Sequence, residues 1–187
     1  MRVDAGFESL VTERLLLRRS VPEDAEAISA YRRDPDVHRF QGWDRTDVEG
    51  TRAEIRRMSA RAPGEDGGWV QLSVLERESG RLVGDVGFSR ATGEPGVVKI
   101  GYTVDPAFQG RGYATEGVGA LVAYLFDTLG AEVVRAYANA DNVPSTRVAE
   151  KVGLHLVERF ERRYGHDVWH GVRYERRREE PPADRPR

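Results

Sequence analysis

Two short stretches hold the residue types and spacings that could do chemistry. In Tyr102-Thr103-Val104-Asp105-Pro106-Ala107-Phe108-Gln109-Gly110-Arg111-Gly112-Tyr113-Ala114-Thr115-Glu116 a strand stops at Asp105-Pro106, and a loop with Gly110, Gly112 and the small Ala114 opens directly into a helix. Glycines let main chain approach a bulky anion, while successive unpaired N–H groups and the positive end of a helix favour phosphate oxygens. The stretch reads as an anion cradle, with a structural turn as the alternative. It lacks the Gly-Lys-Ser/Thr ending of a nucleoside-triphosphate loop. It also lacks the GxGxxG spacing of a dinucleotide fingerprint. The second stretch, Asn142-Val143-Pro144-Ser145, begins 33 residues after Gln109, behind a strand and at the start of a helix. Asn142 and Ser145 are capping groups on the plain reading. Their spacing also sets two polar side chains at one helix start, facing whatever lies between the strands.

The rest of the composition removes competing chemistries. The chain of 187 residues has no cysteine, which excludes disulfides, thiolate nucleophiles and cysteine-based zinc sites. Its four histidines, His38, His155, His166 and His170, follow no metal-binding spacing, so no metal site is expected. Charged residues make up 32% of the chain, yet the formal net charge is only −2, so no overall field draws it to nucleic acid or to acidic membranes. No apolar run approaches the roughly 20 residues that span a bilayer, and no signal-type apolar core opens the chain, so a cytoplasmic location is expected.

The elements that must position the two stretches follow from periodicity. Arg14 to Arg18 suits a buried first strand, and Ser20-Val21-Pro22-Glu23-Asp24 offers a serine cap for a helix that runs to Asp34-Pro35. A second helix covers Asp47 to Arg61. Trp69 to Glu76 alternates Trp69, Gln71, Ser73 and Leu75 against Val70, Leu72 and Val74; with Arg81 to Phe88 it reads as a hairpin, and Val97 to Val104 extends the meander. Val118, Leu121, Val122, Leu125 and Phe126 give helical spacing to Ala114–Leu129, which closes at Gly130. A strand (Val133 to Ala138), a helix (Pro144 to Val152) and two strands (Leu154 to Phe160, Val168 to Tyr174) complete the order. The expected fold is α/β of the α+β kind. A mixed, mostly antiparallel sheet of about seven strands is flanked on both faces by about four helices. Residues 1–174 form one domain, and the charged, proline-bearing segment 175–187 is expected to be a disordered tail.

At this point the pattern Gln109-x-x-Gly112-x-Ala114 can be joined to its surroundings. Ile100-Gly101-Tyr102-x-Val104-x-Pro106 precedes it, and Asn142-x-x-Ser145 and Lys151-x-Gly153-Leu154 follow. Together they resemble the GNAT superfamily of acyl-CoA-dependent N-acyltransferases. The opening Thr12-Glu13-Arg14-Leu15-x-Leu17-Arg18 and the run Gly112-Tyr113-Ala114-Thr115-Glu116 resemble its ribosomal-protein N-terminal acetyltransferase branch. The likeness covers about Thr12 to Tyr174.

The resemblance implies an enzyme that moves an acetyl group from acetyl-CoA directly to a primary amine, at a protein N-terminus or on a small molecule. It implies that the main chain of Gln109, Gly110, Arg111, Gly112, Tyr113, Ala114 and Thr115 carries the pyrophosphate of coenzyme A, with Arg111 either adding charge or solvated. The pantetheine arm is expected to lie as an extra strand beside Tyr102 and Val104, where a main-chain N–H polarises the thioester carbonyl. Asn142 holds either the pantetheine or the helix cap. Ser145 is expected to donate to the leaving thiolate, the alternative being a first-turn serine of the helix.

No general base is assigned. Relatives carry a glutamate just before Ile-Gly-Tyr where this chain has Lys99, and Asp85, Glu116 and Tyr164 are the candidates. Relatives also carry a glycine four residues beyond Gly153-Leu154 that is missing here, so the neighbouring bulge is expected to differ. Asp36 to Trp43 resembles the lid over the acceptor cleft, with Phe40 and Trp43 either flooring that cleft or packing in the core. A monomer or a homodimer is equally compatible with the sequence. The alternative function is a non-catalytic acyl-CoA sensor of the same fold.

Overall fold

The computed structural model describes residues 7, 9–41, 47–60, 68–164 and 167–178. In chain order these give β1 (Ser9–Val11), β2 (Leu15–Arg19), α1 (Ala25–Arg32), α2 (Pro35–His38), α3 (Val48–Ser59), β3 (Val70–Glu76), β4 (Leu82–Arg90) and β5 (Val97–Val104). They continue with α4 (Tyr113–Asp127), β6 (Val133–Asn139), α5 (Val143–Lys151), β7 (His155–Tyr164) and β8 (Asp167–Arg177). The strands form one sheet in the order β1-β2-β3-β4-β5-β6-β8-β7. Its β5–β6 pair is parallel, because α4 carries the chain back across the sheet before β6 begins.

The two faces of the sheet differ in chemistry. On one, α4 sets Val118, Leu121, Val122 and Leu125 against Leu15, Leu17, Leu72, Val74 and Phe88, and α5 adds Ala149 and Val152. Each such fully buried aliphatic side chain contributes about 1.5–3 kcal/mol. On the other face a smaller cluster of Ala25, Ile28, Tyr31 and Ile55 joins α1 to α3. Beneath those two helices β3, β4 and β5 present two polar or side-chain-free rungs, Ser73–Asp85–Thr103 and Gln71–Gly87–Gly101. The alternation of Trp69, Gln71 and Ser73 with valine and leucine thus points the polar set at a helix layer rather than at solvent.

Four local expectations are corrected. Ser20 caps no helix: its hydroxyl shares a 2.8 Å hydrogen bond with the Ser73 hydroxyl, and the chain enters α1 through a short 3-10 turn at Pro22–Asp24. The three-residue edge strand β1 is too short to show a period. After the helix stop at Asp34-Pro35, Asp34 accepts from the Asp36 amide and caps the single turn α2. The last strand continues through Arg177, so residues 175–177 belong to the sheet rather than to a tail. Glu175 there takes a 2.7 Å hydrogen bond from Arg135. Residues 179–187 lie outside the described residues. β7 carries a bulge at Val157, between the pairs Leu156–Tyr174 and Glu158–Arg173.

Candidate active site

Strands β5 and β6 stay in register only from Val97–Val133 to Ile100–Ala136. Beyond that point Gly101–Val104 turns away from Tyr137–Asn139, because β5 remains paired to β4 as far as Val104 while β6 remains paired to β8 through Asn139. A narrow slot of about 70 Å³ opens between the diverging strands, with Tyr102, Ala138, Asn142 and Ser145 in its walls.

Ser145 and Tyr102 meet across this slot. The Tyr102 hydroxyl donates to the Ser145 carbonyl (2.7 Å), and the Ser145 hydroxyl lies 3.3 Å away as a donor to the Tyr102 oxygen. Burial pushes the Tyr102 hydroxyl up to about 12, outweighing its hydrogen bond with Ser145. It therefore stays protonated across the neutral range. Asn142 plays its plain part as N-cap of α5, accepting from the Ser145 amide at 3.3 Å, and it lines the slot as well.

At the far end of β5 the loop turns on Gly110 (φ +75°) and Gly112 (φ +81°), left-handed conformations that glycine adopts without strain. Gly112 is the N-cap of α4 and supplies no side chain, so the first-turn amides of Tyr113, Ala114 and Thr115 face outward with no intrahelical acceptor. The larger side chains of this loop are directed back to the protein. Gln109 donates to the Val104 carbonyl (3.0 Å). Arg111 donates to the Ala107 carbonyl (3.2 Å) and lies over the Phe108 ring, and the Tyr113 hydroxyl donates to Glu76. What the loop offers an anion is therefore main chain.

The Thr12-Glu13-Arg14 motif buttresses the same loop, a contact that sequence reading missed. Glu116, on the first turn of α4, accepts from the Thr12 hydroxyl (2.6 Å), the Arg14 amide (2.9 Å) and the Arg14 guanidinium (2.7 Å), which also donates to the Arg111 carbonyl. Although burial works against it, these donors hold the Glu116 carboxyl below its ordinary value. Glu116 is thus a brace of the loop and a poor proton acceptor.

The polar face under α1 and α3 encloses a second, larger cavity of about 520 Å³. Trp69 folds across the Gly87–Gly101 pair. A Cβ at Gly101 would come within 3.2 Å of the indole, and one at Gly87 within 2.5 Å, so both glycines are needed for the ring to lie there. The indole donates to the Gln71 carbonyl oxygen (2.8 Å). Gln71 in turn donates to Asp85, which also accepts from the Tyr31 hydroxyl. Asp85 is 5% exposed. Burial pushes its carboxyl above the ordinary range, against the pull of the Arg32 guanidinium and of the Tyr31 and Gln71 hydrogen bonds. Arg32 and Glu54, joined at 2.8 Å, form the opposite wall.

Gly101 and Tyr102 line both the slot and this cavity, so the two spaces meet across β5. Of the candidate bases whose side chains are described, Asp85 lies on this face and Glu116 does not. Glu116 is committed to the loop, and the side chain of Tyr164 lies outside the described residues, as does Trp43. Phe40 is half-buried and lines the slot rather than the core.

Comparison with known proteins assigns the family. An acetyltransferase (GNAT) domain model matches residues 14–155. An uncharacterized N-acetyltransferase, p20, of Bacillus licheniformis is 30% identical over 149 residues, 79% of this chain and 83% of that protein. A GNAT-family acetyltransferase from Bacillus anthracis, whose crystal structure is known, is 27% identical and superposes with a TM-score of 0.80 over 92% of this chain and 99% of its own. The fold is shared by a RimL ribosomal L7/L12 alpha-N-protein acetyltransferase solved in complex with coenzyme A. That protein is 18% identical, with a TM-score of 0.76 over 91% of this chain and 98% of its own. With the diverging strands, the glycine loop and the family match agreeing, the chain belongs to the GNAT acetyltransferase family.

Proposed function

We propose that the protein transfers the acetyl group of acetyl-CoA directly to a primary amine, at a protein N-terminus or on a small molecule. The observation that carries this reading is the junction at Gly101–Tyr102. There, the slot between the diverging strands β5 and β6 shares its lining with a polar cavity of about 520 Å³, room for an amine substrate.

On this reading the outward amides of Gly110 to Thr115 hold the diphosphate of the donor, with the positive end of α4 behind them. The pantetheine lies in the slot against β5, where a main-chain N–H polarises the thioester carbonyl. Such a donor contributes about 2.7–4 kcal/mol to lowering the barrier when it is positioned for the developing oxyanion. The amine approaches from the cavity beneath α1 and α3 and attacks the carbonyl carbon. The Ser145 hydroxyl turns its one proton from the Tyr102 oxygen to the departing sulfur. No covalent enzyme intermediate is needed, which fits a chain without cysteine.

Release of free thiol from acetyl-CoA, followed across peptides beginning with serine or alanine, aminoglycosides, polyamines and amino acids, tests the reading. Acceptor-dependent thiol release is the expected result. Tight acetyl-CoA binding with thiol at background for every amine identifies the protein as a sensor instead.

A further inference from the structure

The cavity under α1 and α3 holds one feature that acetyl transfer by positioning alone leaves unexplained. Of the buried polar rungs, Ser73 spends its hydroxyl on Ser20 and Asp24, and Asp24 is neutralised by a two-pronged Arg18. Asp85 has no such ion pair at hydrogen-bond distance among the described residues. Among the described residues its two oxygens accept from the neutral donors Tyr31 and Gln71, with the Arg32 guanidinium acting on it through space, and it borders the cavity wall. A carboxylate has about four lone-pair sites, so two remain for a guest. Keeping a carboxylate with neutral partners in so buried a position is costly unless the site uses it.

We propose that Asp85 is a catalytic residue of the acetyl transfer, taking a proton from the ammonium form of the acceptor while Trp69 and Gln71 fix the geometry. The inference rests on the acetyl-transfer reading above and deepens it. The protons balance as follows. A primary ammonium passes one proton to the Asp85 carboxylate, and the free amine forms the N–C bond to the acetyl carbon. The C–S bond breaks with its electron pair on sulfur. The nitrogen sheds its second proton, one proton finishes on the thiol, and Asp85 returns the other to solvent. Asp85, on β4, supplies the lone pair for this task.

The groups that face Asp85 or line the cavity with it are Tyr31 and Arg32 from α1, Glu54 and Arg57 from α3, Gln71 from β3, and Thr103 from β5. The carboxylate must be ionised to accept a proton. Activity therefore falls on the acid side at a pH above the ordinary carboxylate range, as its burial dictates.

The test compares wild type with Asp85→Asn and Tyr31→Phe in the full-length protein, using an acceptor from the amine panel. For Asp85→Asn the expected result is a fall in kcat of about 100-fold or more at neutral pH. Activity recovers toward high pH, where the amine sheds its proton unaided, and acetyl-CoA affinity stays within about twofold. Asparagine keeps the shape, and the Tyr31 hydroxyl can accept where it donated, so the fold is expected to survive. Tyr31→Phe removes one donor to the carboxylate and is expected to move the acid limb of kcat/KM to higher pH, an effect that a packing role does not produce. If kcat of Asp85→Asn stays within about threefold of wild type with an unchanged pH profile, the assignment is wrong. Should that variant fail to fold, an acid limb unmoved by Tyr31→Phe overturns the assignment equally. Absence of thiol release from wild type with every amine removes the acetyl-transfer reading and this inference together, whereas a silent Asp85→Asn removes only the latter.

Discussion

The Ser145 hydroxyl lies 3.3 Å from the Tyr102 hydroxyl, which in turn donates to the Ser145 carbonyl, so one pair of side chains bridges the gap between β5 and α5. The helix start is pinned to the strand at the place where the thioester is proposed to sit. On this reading Ser145→Ala lowers kcat by about 10–100-fold and leaves acetyl-CoA affinity within about twofold, as expected when a proton donor is lost and binding contacts are kept. Steady-state kinetics paired with calorimetric titration of acetyl-CoA checks this. An unchanged kcat reduces Ser145 to a first-turn residue of α5.

The glycine loop is expected to be intolerant of side chains. Gly112 has φ +81°, and a Cβ there would sit 3.4 Å from Arg14. Gly112→Val places a β-branched residue in left-handed backbone, at a cost of about 1–3 kcal/mol, and covers the amides proposed to hold the diphosphate. Titration calorimetry is expected to show at least a tenfold loss of acetyl-CoA affinity, with a modest fall in melting temperature. Retained affinity refutes the cradle.

Trp69 tests the division of labour between slot and cavity. Trp69→Ala removes the indole from Gly87 and Gly101 and its donor from Gln71. The expected outcome is a several-fold rise in KM for the amine with acetyl-CoA affinity unchanged. Equal loss of affinity for both substrates contradicts a separate acceptor cavity.

Asp24 makes a prediction about stability and pH. Although burial pushes its carboxyl up, hydrogen bonds from Arg18, the Val21 amide and Ser73 hold it below the ordinary value. A carboxylate depressed by folding stabilises above its unfolded pKa of about 3.9, and that contribution disappears as pH falls through the folded value. Asp24→Asn is therefore expected to cost about 2–3 kcal/mol at pH 7 by urea denaturation, with the gap to wild type closing below pH 4. A gap independent of pH means that shape, not charge, is what Asp24 provides.

Much of this is legible in the sequence alone. The meander of β3, β4 and β5 announces itself by alternation, and α4 by its apolar stripe and closing glycine. The glycine loop is visible because only small residues and a helix start can bare several amides at once. The polar face beneath α1 and α3 is harder to see. Gln71, Ser73, Asp85, Gly87, Gly101 and Thr103 sit on three strands, and alone each looks like the solvent side of a half-buried strand. Only the pairing register assembles them into rungs, and only the placement of α1 and α3 buries those rungs. A sequence signal did exist: polar and small residues at period two recur on three consecutive strands, alternating with mostly apolar residues such as Val70, Leu72, Val86, Phe88 and Ile100. The Thr12–Arg14–Glu116 brace was similarly hidden, because the two motifs that carry it lie about a hundred residues apart and meet only through the fold.

The measurement that bears most directly on the central claim is a crystal structure of the protein with coenzyme A. The account predicts diphosphate oxygens on the amides of Gly110 to Thr115, and the sulfur in the slot between Tyr102 and Ser145. It also predicts that the opening beside Gly101 leads from that sulfur toward Asp85. Density for the nucleotide elsewhere on the surface, with the slot between β5 and β6 closed, contradicts it.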